Sequence, residues 1–172
     1  RNLKTDLKET VARQIKNSGR VVVLGVGSGL MQDDAAGITV SENLKKKLGE
    51  GNSGFRIYTG YTTPENFTKN ITDFNPGLVV IIDAADLKLP PGSCDTIPPE
   101  KIADLSPGTH RLSLIMMIKY LKEVINPEFT VLAIQYQSLE FNRKMTKEVK
   151  TSTRKVSAFL CKMFKNRESP AL

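Results

Sequence analysis

Two carboxylates and one imidazole hold positions from which they could do chemistry. Asp34 follows a short β-branched run and a glycine-rich loop, at the start of the next helical pattern. Asp83 interrupts the longest apolar run, Leu78 to Ala85. His110 is the only histidine and sits in Pro107-Gly108-Thr109-His110, just before an apolar helix. Carboxylates alone favour Mg, Ca or Mn, whereas an added imidazole suits Zn, Cu, Fe or Ni. Three protein ligands would leave coordination positions open for a substrate. Asp34 or Asp83 could instead hold an attacking water as a general base. Burying Asp83 after five apolar residues costs several kcal/mol unless it is paired or meets a cation. Spacing does not show that the three converge, and there is no HExxH or CxxC.

The neighbouring motifs offer weaker chemistry. Gly25-Val26-Gly27-Ser28-Gly29-Leu30 follows a strand pattern but is not GxGxxG and lacks a phosphate-binding Lys. Asp33 and Asp34 would repel a phosphate at that helix start. Ser28 as a nucleophile would need a base, and nothing in the sequence puts one beside it. Asp33 reads as the helix cap and Asp34 as the functional group, because adjacent side chains point in different directions.

Elements must position these residues. Residues 5–17 predict a first helix with Leu7, Val11 and Ile15 inward, capped by Thr5 or Asp6. Val21 to Leu24 predicts a strand buried on both faces. A helix follows over Ala35 to Leu48, then a strand over Phe55 to Thr59 and a helix from Pro64 to Phe74. Leu78 to Ile82 predicts a third strand that Asp83 ends, and Ser93 to Ile97 a short edge strand. Pro99 to Leu105 reads as a brief helical turn. Leu112 to Val124 predicts a helix built on Leu114, Ile115, Ile118, Leu121 and Val124. Thr130 to Ile134 predicts another buried strand, and Thr146 to Phe164 a last helix with Val149, Val156, Leu160 and Met163 inward. Alternating strands and helices give an α/β domain, three-layer α/β/α, with a twisted, largely parallel sheet of about five strands. In such sheets ligands bind beyond the carboxyl ends of the strands, at the switch in strand order.

Composition narrows the classes. The 172 residues fit one domain over 1–172 with a real core. The formal net charge of +7 is spread over several helices, with aromatics at only 6%, so we expect no nucleic-acid partner. No apolar run reaches the roughly 18 residues of a membrane helix. Residues 1–19 are polar and helical in pattern, with no secretory signal among them. Cys94 and Cys161 form no metal or disulfide framework and suit a reducing cytoplasm.

The blocks together resemble the hydrogenase maturation endopeptidase family, above all the branch serving formate-hydrogenlyase-type nickel-iron hydrogenases. Gly25 to Gly37 is similar to its GxGNxLxxDDGxG motif, and Gly60-Tyr61-Thr62-Thr63-Pro64-Glu65-Asn66 to its G-x-x-P-E-N segment. Val80 to Asp86, with Pro91-Gly92, resembles its V-D-A-x-D and P-G block. Thr109-His110 resembles its threonine-histidine stretch and Ile134-Gln135 its G-I-Q strand. The resemblance runs from Val21 to Val156. It implies endoproteolysis: removal of a C-terminal extension from a hydrogenase large subunit after nickel insertion. It also implies that Asp34 (Asp or Glu in the family), Asp83 and His110 recognise nickel carried by the substrate, with no organic cofactor. The expected partner is the large-subunit precursor, met by a cytoplasmic monomer that does not insert in a membrane. Ser28 replaces the usual Asn, Ala35 a common Gly, and Gly108 precedes Thr109 where Ser or Thr is common. Those departures keep a second reading open, a relative that checks nickel without cutting. A third is a small-molecule or nucleotide-binding α/β enzyme.

Overall fold

The computed structural model describes residues 3–167, so the ends of the expected 1–172 domain lie outside the described residues. The order is α1 (Thr5–Asn17), β1 (Val21–Val26), α2 (Ala36–Leu48), β2 (Phe55–Tyr61), α3 (Thr68–Phe74) and β3 (Leu78–Ala85). Then come β4 (Cys94–Ile97), α4 (Ile102–Leu105), α5 (Arg111–Val124), β5 (Glu128–Gln135) and α6 (Lys147–Lys165). Short 3-10 turns precede α2, α3 and α4. The sheet runs β2-β1-β3-β5-β4, parallel throughout except for β4, which pairs antiparallel with β5.

The continuously apolar strands explain the three layers. Successive side chains leave a strand on opposite faces. Val21, Val23, Leu78, Val80 and Ile82 join one core, packed with residues of α1, α2 and α6. Val22, Leu24, Val79, Ile81 and Val131 join the other, packed with residues of α3, α4 and α5. The α/β/α layering and largely parallel sheet agree with the periodicity.

Several details differ from the sequence expectation. β3 runs to Ala85, so Asp83 lies inside the strand, paired across from Ala133. A carboxylate can stay in a parallel ladder because only backbone atoms make it. The predicted start of α2 is a 3-10 turn over Gln32–Ala35, with Ala36 opening the α-helix. Neither Thr5 nor Asp6 caps α1; Lys4 holds that position and its side chain makes no capping bond. On α5 Met117 faces inward while Val124, expected inside, is exposed at the helix end. Cys94 and Cys161 are both buried free thiols. No helix among the described residues is long and apolar enough to cross a membrane.

Strand order reverses at β1 and β3, which lie side by side with Gly25 opposite Ile82. The segment after β1 and the upper end of β3 therefore meet. Gly37 makes that junction close. A Cβ there would lie 2.1 Å from the Ile82 carbonyl oxygen and 2.5 Å from that of Val26. Only glycine lets the first turn of α2 settle on both strand ends, and the 3-10 turn that leads into it carries Asp34.

Candidate metal centre

Asp34, Asp83 and His110 come together. Each offers one ligand atom, and the three atoms all lie within 4.8 Å of one another. Three elements deliver them: the turn before α2, the strand β3, and the residue that opens α5. All three are buried, at 3%, 2% and 1% exposure.

Their contacts are specific. Asp34 accepts a hydrogen bond at Oδ2 from the Ser28 backbone N–H at 2.8 Å. His110 Nε2 lies 3.3 Å from Asp83 Oδ1. Ser106 donates its hydroxyl to Asp83 Oδ2 at 2.8 Å and lies 3.5 Å from His110 Nε2. Because a carboxylate only accepts, the Asp83 contact puts a proton on Nε2. Two buried atoms of the trio have no hydrogen-bond partner, Asp34 Oδ1 and His110 Nδ1. Unmet buried polar atoms are rare, and a bound ion, ligand or water is one way to satisfy them.

The charges are coupled. Burial raises the pKa of Asp34; the charge of His110 and the Ser28 N–H pull against that, and the Asp83 charge adds to it. For His110 burial acts downward. The hydrogen bond and charge of Asp83, with the charge of Asp34, outweigh it and leave the imidazole pKa raised. The two carboxylates thus favour a positive charge on the ring against the cost of its burial.

Gly108 sets the ring position. A Cβ at residue 108 would lie 2.1 Å from His110 Nδ1 and Cε1. The imidazole packs against a bare Cα, so a Ser or Thr at 108 would displace it. Beside the trio is a cleft of about 290 Å³ lined by Ser28, Met31, Asp34, Thr62, Gly108 and Leu139, among others.

The other departures from the family motif are harmless to this geometry. Ser28 holds Asp34 through its backbone N–H, which any residue but proline supplies. Ala35 has φ −74° and ψ 1°, a conformation that alanine adopts without strain.

Asp33 corrects the expectation that it caps its own helix. The turn that holds it starts at Gln32 and has no side-chain cap bond. Its fully buried carboxylate instead accepts from the backbone N–H groups of Gln137 at 2.9 Å, Ser138 at 3.1 Å and Thr146 at 2.8 Å. The Thr146 hydroxyl donates to it as well. Asp33 thereby ties the segment from β5 to α6, which carries cleft-lining Leu139, to the turn that carries Asp34.

Ser106 was invisible in the sequence, being one serine among many with no motif around it. Its alanine variant leaves Asp83 Oδ2 without a donor and is expected to lower stability by about 1–2 kcal/mol. Ser106→Thr should recover most of that. Urea titrations check it; an alanine variant as stable as wild type would show that the bond contributes nothing.

Comparisons with known proteins bear on the family and the fold. A family model described as hydrogenase maturation protease matches residues 38–163, which include Asp83 and His110 and begin just beyond Asp34. A Methanocaldococcus jannaschii relative bearing that family name is 34% identical over 151 residues, 85% of this chain and 89% of its own length. The hydrogenase 3 maturation protease of Escherichia coli is 33% identical over 136 residues, 78% of this chain and 85% of that one. The solution structure of an Escherichia coli endopeptidase superposes with TM-score 0.69 at 30% identity, covering 81% of this chain and 87% of that one. The fold also matches a nickel-iron hydrogenase maturation protease of Thermococcus kodakarensis, with TM-score 0.81 over 91% of this chain and 99% of that one, at 24% identity. With a family model spanning most of the chain and relatives above 30% identity along most of its length, this peptidase belongs to the hydrogenase maturation protease family.

Proposed function

We propose that this chain removes the C-terminal extension of a nickel-iron hydrogenase large subunit once nickel is in place, and that Asp34, Asp83 and His110 read that nickel. The observation that supports it best is the convergence of the three side chains within 4.8 Å, with Asp34 Oδ1 and His110 Nδ1 unpartnered. Two carboxylates and one imidazole are a donor set for a borderline divalent ion such as nickel. The nickel is the substrate's cargo, and the enzyme needs no organic cofactor. The same reading has the reaction in the cytoplasm.

The chemistry is hydrolysis, in which one water is consumed for each peptide bond cut. Substrate-borne nickel held by the trio would fix the scissile bond against the cleft and polarise its carbonyl. A carboxylate of the trio, Asp34 or Asp83, would take the proton of the attacking water. The raised imidazole pKa has a consequence for binding. A protonated ring cannot donate a lone pair through the protonated nitrogen, so nickel capture weakens as pH falls through the His110 pKa.

The test compares nickel-loaded with nickel-free precursor. Wild type should cut only the loaded form. The triple variant Asp34→Ala, Asp83→Ala, His110→Ala should cut neither, as followed by mass spectrometry of the released tail. Wild-type processing by the triple variant would remove these residues from the reaction. Tight binding of loaded precursor by wild type without any cutting would favour the non-catalytic reading instead.

A further inference from the structure

Helix α5 is apolar on two sides. Leu114, Met117, Ile118 and Leu121 face the core. Leu112, Met116, Tyr120 and Val124 are exposed, Leu112 and Met116 at 68% and 71%. A surface helix needs one apolar stripe, not two. The exposed four recur every fourth residue, which is the ridge that one helix packs into the groove of another. Over twelve residues the ridge is about 18 Å long.

The ridge is continuous with the site. It starts two residues after His110. The other exposed large apolar side chains among the described residues are Leu30, Tyr61 and Phe141, and they sit on the segments that bound the cleft. Tyr61 precedes cleft-lining Thr62. Phe141 is held near Leu30, because the Asn142 N–H donates to the Leu30 carbonyl at 2.8 Å. Exposed large apolar side chains are thus confined to the cleft rim and the helix leading away from it; the described residues of α1, α2 and α6 carry none. Patches of this kind mark protein interaction sites.

We propose that the α5 ridge seats the folded body of the precursor whose tail enters the cleft, an inference that rests on the function proposed above. A peptidase acting on a terminal extension must hold a globular partner beside its cleft. Arg111, Lys119 and Lys122 are exposed along one edge of the ridge, with Lys122 3.4 Å from Glu100 and Glu123 exposed beside it. The partner face that fits is an apolar ridge bordered by acidic side chains.

The double variant Leu112→Asp, Met116→Asp tests it. Both side chains are exposed, so the melting temperature should stay at the wild-type value. Calorimetry with nickel-loaded precursor should show Kd raised by about 10- to 100-fold. The cutting rate at saturating precursor should return to that of wild type. Unchanged affinity for the precursor would overturn the proposal. So would a wild-type dimer that the double variant dissociates while precursor affinity holds, since the ridge would then join two copies of this chain. Failure of the site reading is separable from either. His110→Ala that cuts at the wild-type rate removes the nickel-reading role and leaves the binding comparison intact.

Discussion

Asp34→Asn is expected to yield a chain that is more stable than wild type and processes loaded precursor at least about 100-fold more slowly. Both effects come from one carboxylate. Asp34 is 3% exposed, and its Oδ1 has no hydrogen-bond partner. One of its oxygens lies within 4.8 Å of one from Asp83, a second carboxylate. Burial raises its pKa despite the opposing charge of His110 and the Ser28 N–H. A raised carboxyl pKa means that the folded state prefers the protonated form. Folding is therefore penalised above that pKa, and the penalty lifts as pH falls through it. Asparagine keeps an oxygen for the Ser28 N–H and removes the charge, so about 1–2 kcal/mol should be recovered at neutral and alkaline pH.

His110 has a parallel dependence. Its raised pKa supplies stability that is fully present below the ordinary imidazole value and lost as pH rises through the folded one. Part of that gain comes from the Asp34 charge, so the asparagine variant gives it up. The advantage of the variant should thus be greatest at alkaline pH, where the ring is neutral, and shrink in acid. Thermal unfolding across pH measures this directly. A variant that melts at or below wild type at alkaline pH would show that the Asp34 charge is already compensated. One that cuts normally would exclude Asp34 from the reaction.

Asp33→Ala is expected to cost about 3–5 kcal/mol. Its buried carboxylate collects three backbone N–H groups and one hydroxyl from the segment between β5 and α6. Removing it leaves these donors without an acceptor, each at a cost of about 1–3 kcal/mol before relaxation and water entry. The loss should be local as well as global. Hydrogen exchange at Gln137, Ser138 and Thr146 should accelerate beyond that of the strand residues. Asp33→Asn keeps one acceptor oxygen and should fall between. A loss under about 1 kcal/mol, with unchanged exchange at those amides, would show that the clamp contributes little.

The two adjacent aspartates show what the linear chain does and does not carry. That neighbouring side chains diverge is readable from their placement, but the cap expected of Asp33 is a clamp on another segment. The partners of Asp33 are not readable, because Gln137, Ser138 and Thr146 lie more than a hundred residues away. The exposure of Val124, expected inside, was missed for a related reason. Periodicity records that Val124 is apolar, while exposure depends on where the sheet beneath the helix ends.

The sequence by itself determined the alternation of strands and helices, the two-sided burial of β1 and β3, and the place of Asp83 within an apolar run. Those follow from local apolar pattern and the desolvation cost of charge. Tertiary structure alone decided that His110 meets both carboxylates, that Ser106 holds Asp83, and that Gly108 makes room for the ring. Such contacts arise where strand order reverses, and strand order is set by how whole layers pack, not by the period of any one segment.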